Sequence, residues 1–201
     1  MHDIPDHEAL YRHAESQAGY FTARQATDAG MDRRTLSHHA RPGGRFERVA
    51  RGLYRIRLFP TDPHEHIFAA WLGLGISEAV VSHESALELF DLSDVIADQV
   101  HISIPREKRR RHVRPGVRVH TTTRPLTKQN TRRAHGVPVT SPERTIVDVL
   151  EAGGQPEQLQ LAVSQALDRG LTTPARLRRA AVDRGTRVRD QIDRFTSAAV
   201  S

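Results

Sequence analysis

No cysteine occurs anywhere in the chain, which excludes a disulfide framework, a thiolate nucleophile and any zinc site built on Cys ligands. Lysine is nearly missing as well. Of the 30 basic residues only Lys108 and Lys128 are lysine, so the arginine richness is a general bias and by itself weak evidence of phosphate binding. No apolar run reaches the roughly 18 residues that a membrane-spanning helix needs. Met1–Leu10 is acidic and polar, with no apolar stretch that reads as a signal peptide, so a soluble cytoplasmic protein without a membrane partner is expected. A Gly-rich phosphate loop is missing too, because Gly43-Gly44 lacks both the spacing and the lysine.

What remains is a chain of 201 residues, long enough to bury a real core in one large or two small domains. Its net charge of +6 is unevenly spread: +3 over residues 1–60, −8 over 61–100, +9 over 101–150 and +2 over the rest. Two readings of that segregation stand side by side. Either the chain presents electrostatically distinct faces, or the acidic and basic segments pair inside one domain.

Residues 1–60 carry the clearest local signals. Ala9–Ala18 reads as a helix closed by Gly19, and Thr22 starts a second one with Gln25 in capping-box spacing. Gly30 closes that helix after two turns, and Asp32 caps a third that runs to Arg41, where Pro42-Gly43-Gly44 stops it. Arg45–Val49 and Leu53–Arg57 then form a hairpin around Ala50-Arg51-Gly52. Helix, short helix, tight turn, helix and hairpin is the element order of a winged helix-turn-helix. Pro60–Pro63 is the expected domain boundary, giving residues 1–60 as a DNA-binding domain and 61–201 as a second domain.

The fold class expected is α+β, with the winged helix followed by a mixed α/β domain and a helical C-terminus. His64–Leu74 reads as a helix with Ile67, Phe68, Trp71 and Leu72 as its apolar stripe, and Ser82–Phe90 as another capped by Ser82. Val100–Ile104 and Val117–His120 read as strands, with Arg106–Arg114 a charged loop between them. Ser141 caps a helix with Pro142 at its first position, Leu159–Arg169 follows, and Thr173-Pro174 repeats the start signal. Arg187–Ser201 is expected to be helical but weakly amphipathic.

On the third helix Arg34, Ser37 or His38, and Arg41 fall at i, i+3/i+4 and i+7, while Leu36 and Ala40 face the other way. Arginine, serine and histidine on one exposed face suit base edges in a major groove, and Arg33 beside them suits a phosphate. In the hairpin, Arg45, Arg51, Arg55 and Arg57 are candidates for backbone phosphates or the minor groove. The bland alternatives are a winged helix used for protein contacts, or a solvated arginine face. One such module covers only about 600–1,000 Å² of DNA, so a homodimer or cooperative occupancy of a repeat is expected.

Several stretches resemble AbiEi-type antitoxins. In the N-terminal part they are Gly19-Tyr-Phe-Thr-Ala-Arg-Gln-Ala with Ala29-Gly, and Arg45-Phe-Glu-Arg-Val-Ala-Arg-Gly-Leu-Tyr-Arg-Ile56. Further on they are Val81-Ser-His-Glu-Ser-Ala-Leu, Val100-His-Ile-Ser-Ile-Pro, and Gly136-Val-Pro-Val-Thr-Ser-Pro-Glu-Arg-Thr-Ile-Val-Asp148. Their order and spacing carry the resemblance, which covers about residues 9–150 and is weakest after Gly153. It implies a non-enzymatic antitoxin that neutralises a nucleotidyltransferase-like toxin, directly or indirectly, and represses its own operon at promoter repeats. A stand-alone winged-helix regulator without a toxin is the alternative. A fused repair-type nuclease is not expected, since no strand after Asp148 carries an acidic pair.

Neither catalysis nor a cofactor is expected elsewhere. Ser82-His83-Glu84-Ser85 brings serine, histidine and acid together in sequence, but adjacent residues diverge at a helix start, and capping by Ser82 is the plainer reading. Metal binding at His64/His66 or His38/His39 is disfavoured, because neighbours at those spacings point apart. The run Arg106, Lys108, Arg109, Arg110 and Arg111 has three open readings: DNA contact beyond the wing, an acidic patch on the toxin, or a solvated loop.

Overall fold

The computed structural model describes residues 6–75, 77–109 and 113–199. By contact the chain falls into two compact units. One runs to Ser77 and includes His135–Val137; the other comprises Glu78–Ala134 and the chain from Pro138 onward.

The first unit is a winged helix. Helix α1 (His7–Glu15) is capped by Asp6, whose Oδ1 accepts from the Ala9 amide at 2.9 Å. It ends earlier than the expected Ala18. The buried Gln17 side chain donates to the His13 carbonyl (2.8 Å), which a longer helix would have used, and to the Tyr20 carbonyl at the start of β1 (3.1 Å). Strand β1 (Tyr20–Thr22) follows and pairs antiparallel with β3 (Leu53–Ile56), which also pairs with β2 (Phe46–Ala50). Three residues are too few to show a period, so the sequence reading has no strand there.

Between these strands lie α2 (Ala23–Asp28) and α3 (Arg33–His39). Thr22 forms the expected capping box: its Oγ1 accepts from the Gln25 amide at 3.2 Å, and Gln25 Oε1 accepts from the Thr22 amide at 2.8 Å. Leu10, Ala14, Phe21, Ala26, Met31, Leu36, Phe46 and Tyr54 form one core. Phe21 is its hub, edge-on to Phe46 at 4.9 Å and stacked on Tyr54 at 5.7 Å between centroids. Helix α4 (Glu65–Leu74) packs on β1 and β3 and buries Ile67 and Phe68, so it groups with the first unit rather than beginning the second at residue 61.

The second unit is mixed α/β. Its elements are β4 (Val80–Val81), α5 (His83–Leu89), β5 (Val100–Pro105), β6 (Val117–Thr122), β7 (Thr131–Ala134) and β8 (Val137–Thr140), then α6 (Pro142–Glu151), α7 (Pro156–Asp168), α8 (Pro174–Ala181) and α9 (Thr186–Ala198). The sheet order is β6-β5-β4-β8-β7, with β5 parallel to β6 and antiparallel to β4, and β4 parallel to β8. Strand β5, flanked by β6 and β4, is buried from Val100 to Ile104, with His101 and Ser103 enclosed among its apolar residues.

Leu87, Ile146, Leu150, Leu159, Val163, Leu177, Ile192 and Phe195 belong to one core cluster drawn from α5 to α9. The tail therefore docks: Val188, Ile192 and Phe195, spaced i, i+4 and i+7, are all buried. Charged side chains enter this core only as partners. Arg144 Nε donates to Asp148 Oδ2 at 2.6 Å, Arg184 Nη2 donates to Asp148 Oδ1 at 2.7 Å, and Arg184 also pairs with Glu151.

Candidate nucleic-acid interface

The interface is built on the turn between α2 and α3. Gly30 adopts φ +78°, a conformation that side-chain-bearing residues rarely take, and its amide bonds the Thr27 carbonyl at 2.9 Å. Met31 is buried 1% exposed beneath the turn, and Asp32 caps α3 by accepting from the Thr35 amide at 2.6 Å. Leu36 anchors α3 to the core. That leaves Arg33, Arg34, Ser37 and His38 exposed, with Arg33 and Ser37, and Arg34 and His38, four residues apart in adjacent rows.

Arg41 departs from the expected stripe. Helix α3 stops at His39, Ala40 is its C-cap, and Pro42 disfavours helical geometry at the residue before it. Arg41 is exposed in the turn that follows, where its carbonyl accepts from the Gly44 amide at 2.8 Å. His39 packs against Phe46, His38 and His7 with centroids 5.6, 5.5 and 6.0 Å away. Burial, then the nearby Arg45, His38 and His7 charges, hold its pKa below the ordinary histidine value.

The wing is the β2–β3 hairpin, with a register shift between Arg48 and Ala50 and a tip at Arg51-Gly52, where Gly52 has φ +73°. Arg45 and Arg51 are exposed, and so is Arg48, which the sequence reading passed over. Arg57 staples the base of the wing, its Nε donating to the Gly44 carbonyl at 2.9 Å and its Nη2 to the Phe46 carbonyl at 3.2 Å. Arg55 is a correction to the phosphate-contact set. Its side chain is only 12% exposed, donates to the Phe59 and Pro60 carbonyls and to Glu65 Oε2 at 3.1 Å, and lies over the Tyr20 ring. It faces the same strand surface as Tyr20 because Tyr20 pairs directly with it across β1 and β3.

In the second unit, Arg106–Lys108 form one 3-10 turn, Arg106 and Arg109 are exposed, and Lys108 Nζ lies 3.2 Å from Glu78. Arg110 and Arg111 lie outside the described residues. The Ser141–Asp148 stretch is structural. Glu143 accepts from Arg176 at 3.1 Å, and Thr145 Oγ1 donates to the Thr140 carbonyl at 3.0 Å.

Ser82 does occupy the N-cap position of α5, but its side chain makes no capping bond. Its Oγ accepts instead from Ser103 Oγ at 2.8 Å and lies 3.0 Å from His83 Nδ1. His83 opens the helix at φ +53°, a left-handed conformation costing a non-glycine residue about 1–3 kcal/mol. Its ring stacks on His120 at 3.6 Å, with the His101 ring 5.7 Å away. Burial is the main cause that lowers His83 to about 4 and His120 to about 3, so both imidazoles are neutral near pH 7. Burial raises Glu84, but the His101 contact and a backbone hydrogen bond outweigh it and bring the carboxyl to about 2. The sequence reading missed this grouping because residues 83, 101 and 120 meet only through the α5–β5 packing and the β5–β6 register.

Two family models match the chain: "Transcriptional regulator, AbiEi antitoxin" over residues 8–57 and "AbiEi antitoxin C-terminal domain" over residues 79–195. The second reaches well past Gly153, so the helical tail is part of the family's second domain rather than an addition to it. No curated protein matches the chain. Its fold is similar to that in the crystal structure of the RV2827C protein from Mycobacterium tuberculosis, at TM-score 0.61 and 16% identity, over 94% of this chain and 75% of that one. No helix among the described residues is long and apolar enough to cross a membrane. With a regulator module ahead of an antitoxin module, and over half of its residues within the second match, the chain belongs to the AbiEi antitoxin family.

Proposed function

We propose that the first unit binds duplex DNA at repeats in the promoter of its own operon, and that the chain both represses that operon and neutralises a nucleotidyltransferase-like toxin. The observation that carries the DNA reading is the pair of exposed rows Arg33/Ser37 and Arg34/His38 on a helix held from behind by Leu36. Arg34, Ser37 and His38 read base edges in the major groove, Arg34 having the fork geometry to engage guanine O6 and N7 together. Arg33, Arg41, Arg45, Arg48 and Arg51 lie against phosphates and set position rather than sequence.

Two copies of the module on neighbouring half-sites supply the affinity that one lacks. Neutralisation is the work of the second unit, through direct contact with the toxin or by countering its effect. Titrating the intact chain onto its own promoter, with excess unrelated duplex present, tests the DNA reading. Footprints over repeated half-sites are expected; equal affinity for promoter and scrambled duplex would remove it.

A further inference from the structure

Three histidines from separate elements of the second unit converge. His83 comes from the start of α5, His101 from β5 and His120 from the parallel neighbour β6. One ring nitrogen from each lies within 4.8 Å of the other two. His83 and His101 are each only 7% exposed, and His120 Nε2 is buried without a hydrogen-bond partner.

The other ring nitrogens have company of the kind that orients metal ligands. Glu84 Oε2 is 2.6 Å from His101 Nδ1, and Ser82 Oγ is 3.0 Å from His83 Nδ1. A carboxylate or hydroxyl on Nδ1 holds a histidine with Nε2 directed at an ion. With a neighbour at Nδ1 of His83 and of His101, Nε2 of each ring is the atom left to meet an ion. The Glu84–His101 approach is an ion-pair contact rather than an aligned hydrogen bond, and His120 Nε2 is buried without a partner.

We infer that His83, His101 and His120 form a binding site for a divalent transition metal of the zinc class, with Glu84 as the carboxylate that orients His101 and offsets the ion's charge. Imidazole ligands suit zinc, nickel and cobalt and not magnesium or calcium, which take oxygen ligands. Metal–nitrogen bonds of about 2.0–2.1 Å place imidazole centroids roughly 5 Å apart around a tetrahedral ion. The His101–His120 and His83–His101 separations of 5.0 and 5.7 Å are already near that value. Only the His83–His120 stack, at 3.6 Å, has to open by a ring rotation. Arg118, the nearest cation on β6, is exposed, so water screens its repulsion. Three protein ligands leave the fourth position open to water or a small anion.

The test uses the full, tag-free chain stripped of metal and titrated with zinc or with cobalt, whose visible absorption reports tetrahedral coordination. One ion per chain is expected. His120→Ala should abolish stoichiometric binding, Glu84→Gln should weaken it about 10- to 100-fold, and His13→Ala, at an exposed site, should leave it unchanged. Circular dichroism checks that each variant is folded. Should His120→Ala not fold, Glu84→Gln against His13→Ala decides. A wild-type chain that binds no ion, or a folded His120→Ala or Glu84→Gln that binds like wild type, overturns the inference.

Discussion

Arginine does two unlike jobs in this chain, and what surrounds each guanidinium tells them apart. Arg34 and Arg51 reach solvent from α3 and from the wing tip. Arg55, Arg144 and Arg184 are enclosed and donate to fixed acceptors. Asp148 is the acceptor that two buried arginines share, its side chain 5% exposed. Removing it leaves buried Arg144 without its carboxylate and Arg184 with Glu151 only, and breaking buried pairs of this kind costs about 3–5 kcal/mol. Asp148→Ala should therefore lower the denaturation midpoint sharply. A chemical melt of the variant within about 1 kcal/mol of wild type would show that the pair is not worth what its burial implies.

Elements whose ends are written in short-range chemistry were legible in the sequence. The Thr22–Gln25 box, the Asp32 cap and Thr173 before Pro174 each appear at the expected helix start, because a cap needs only neighbours within three residues. Strands β1 and β7 were not legible. Three or four residues leave too little alternation, and their partners lie elsewhere in the chain. Arginines crowd the outer face of α9 and mask its amphipathicity in the sequence, yet Ile192 is fully buried. Ile192→Ala should cost about 2–5 kcal/mol in a chemical melt, and a neutral result would detach α9 from the core. The wing makes a different prediction. Arg51 is exposed at its tip and is proposed as a phosphate contact, so Arg51→Ala should weaken binding to all duplexes alike and reduce the log–log salt slope by about one. A change in sequence preference would instead make Arg51 a base reader.

Over the whole molecule, the charge segregation has a partial explanation. Arg124, Arg132 and Arg144 from the basic segment pair with Glu151, Glu143 and Asp148, from the helix just beyond or the same helix, while Lys108 reaches Glu78 in the acidic segment. Glu143 and Asp148 are already counted in the +9, so among these pairs only Lys108–Glu78 and Arg124–Glu151 offset it, and most of the excess positive charge of the stretch stays within the second unit. The unit boundary also sets where a dissection belongs. A cut at residue 64 would strip α4 from β1 and β3, on which it packs, whereas a cut before Glu78 leaves α4 with those strands and gives a fragment of residues 78–201. That fragment should still protect cells from the toxin; loss of protection by a folded fragment would tie neutralisation to DNA binding. The central claim is that α3 reads promoter sequence. Its most direct measurement compares wild type with Arg34→Ala by fluorescence anisotropy on promoter and scrambled duplexes at one salt concentration. The account predicts a loss of about tenfold or more on promoter DNA with little change on scrambled DNA, and an unaltered promoter preference would contradict it.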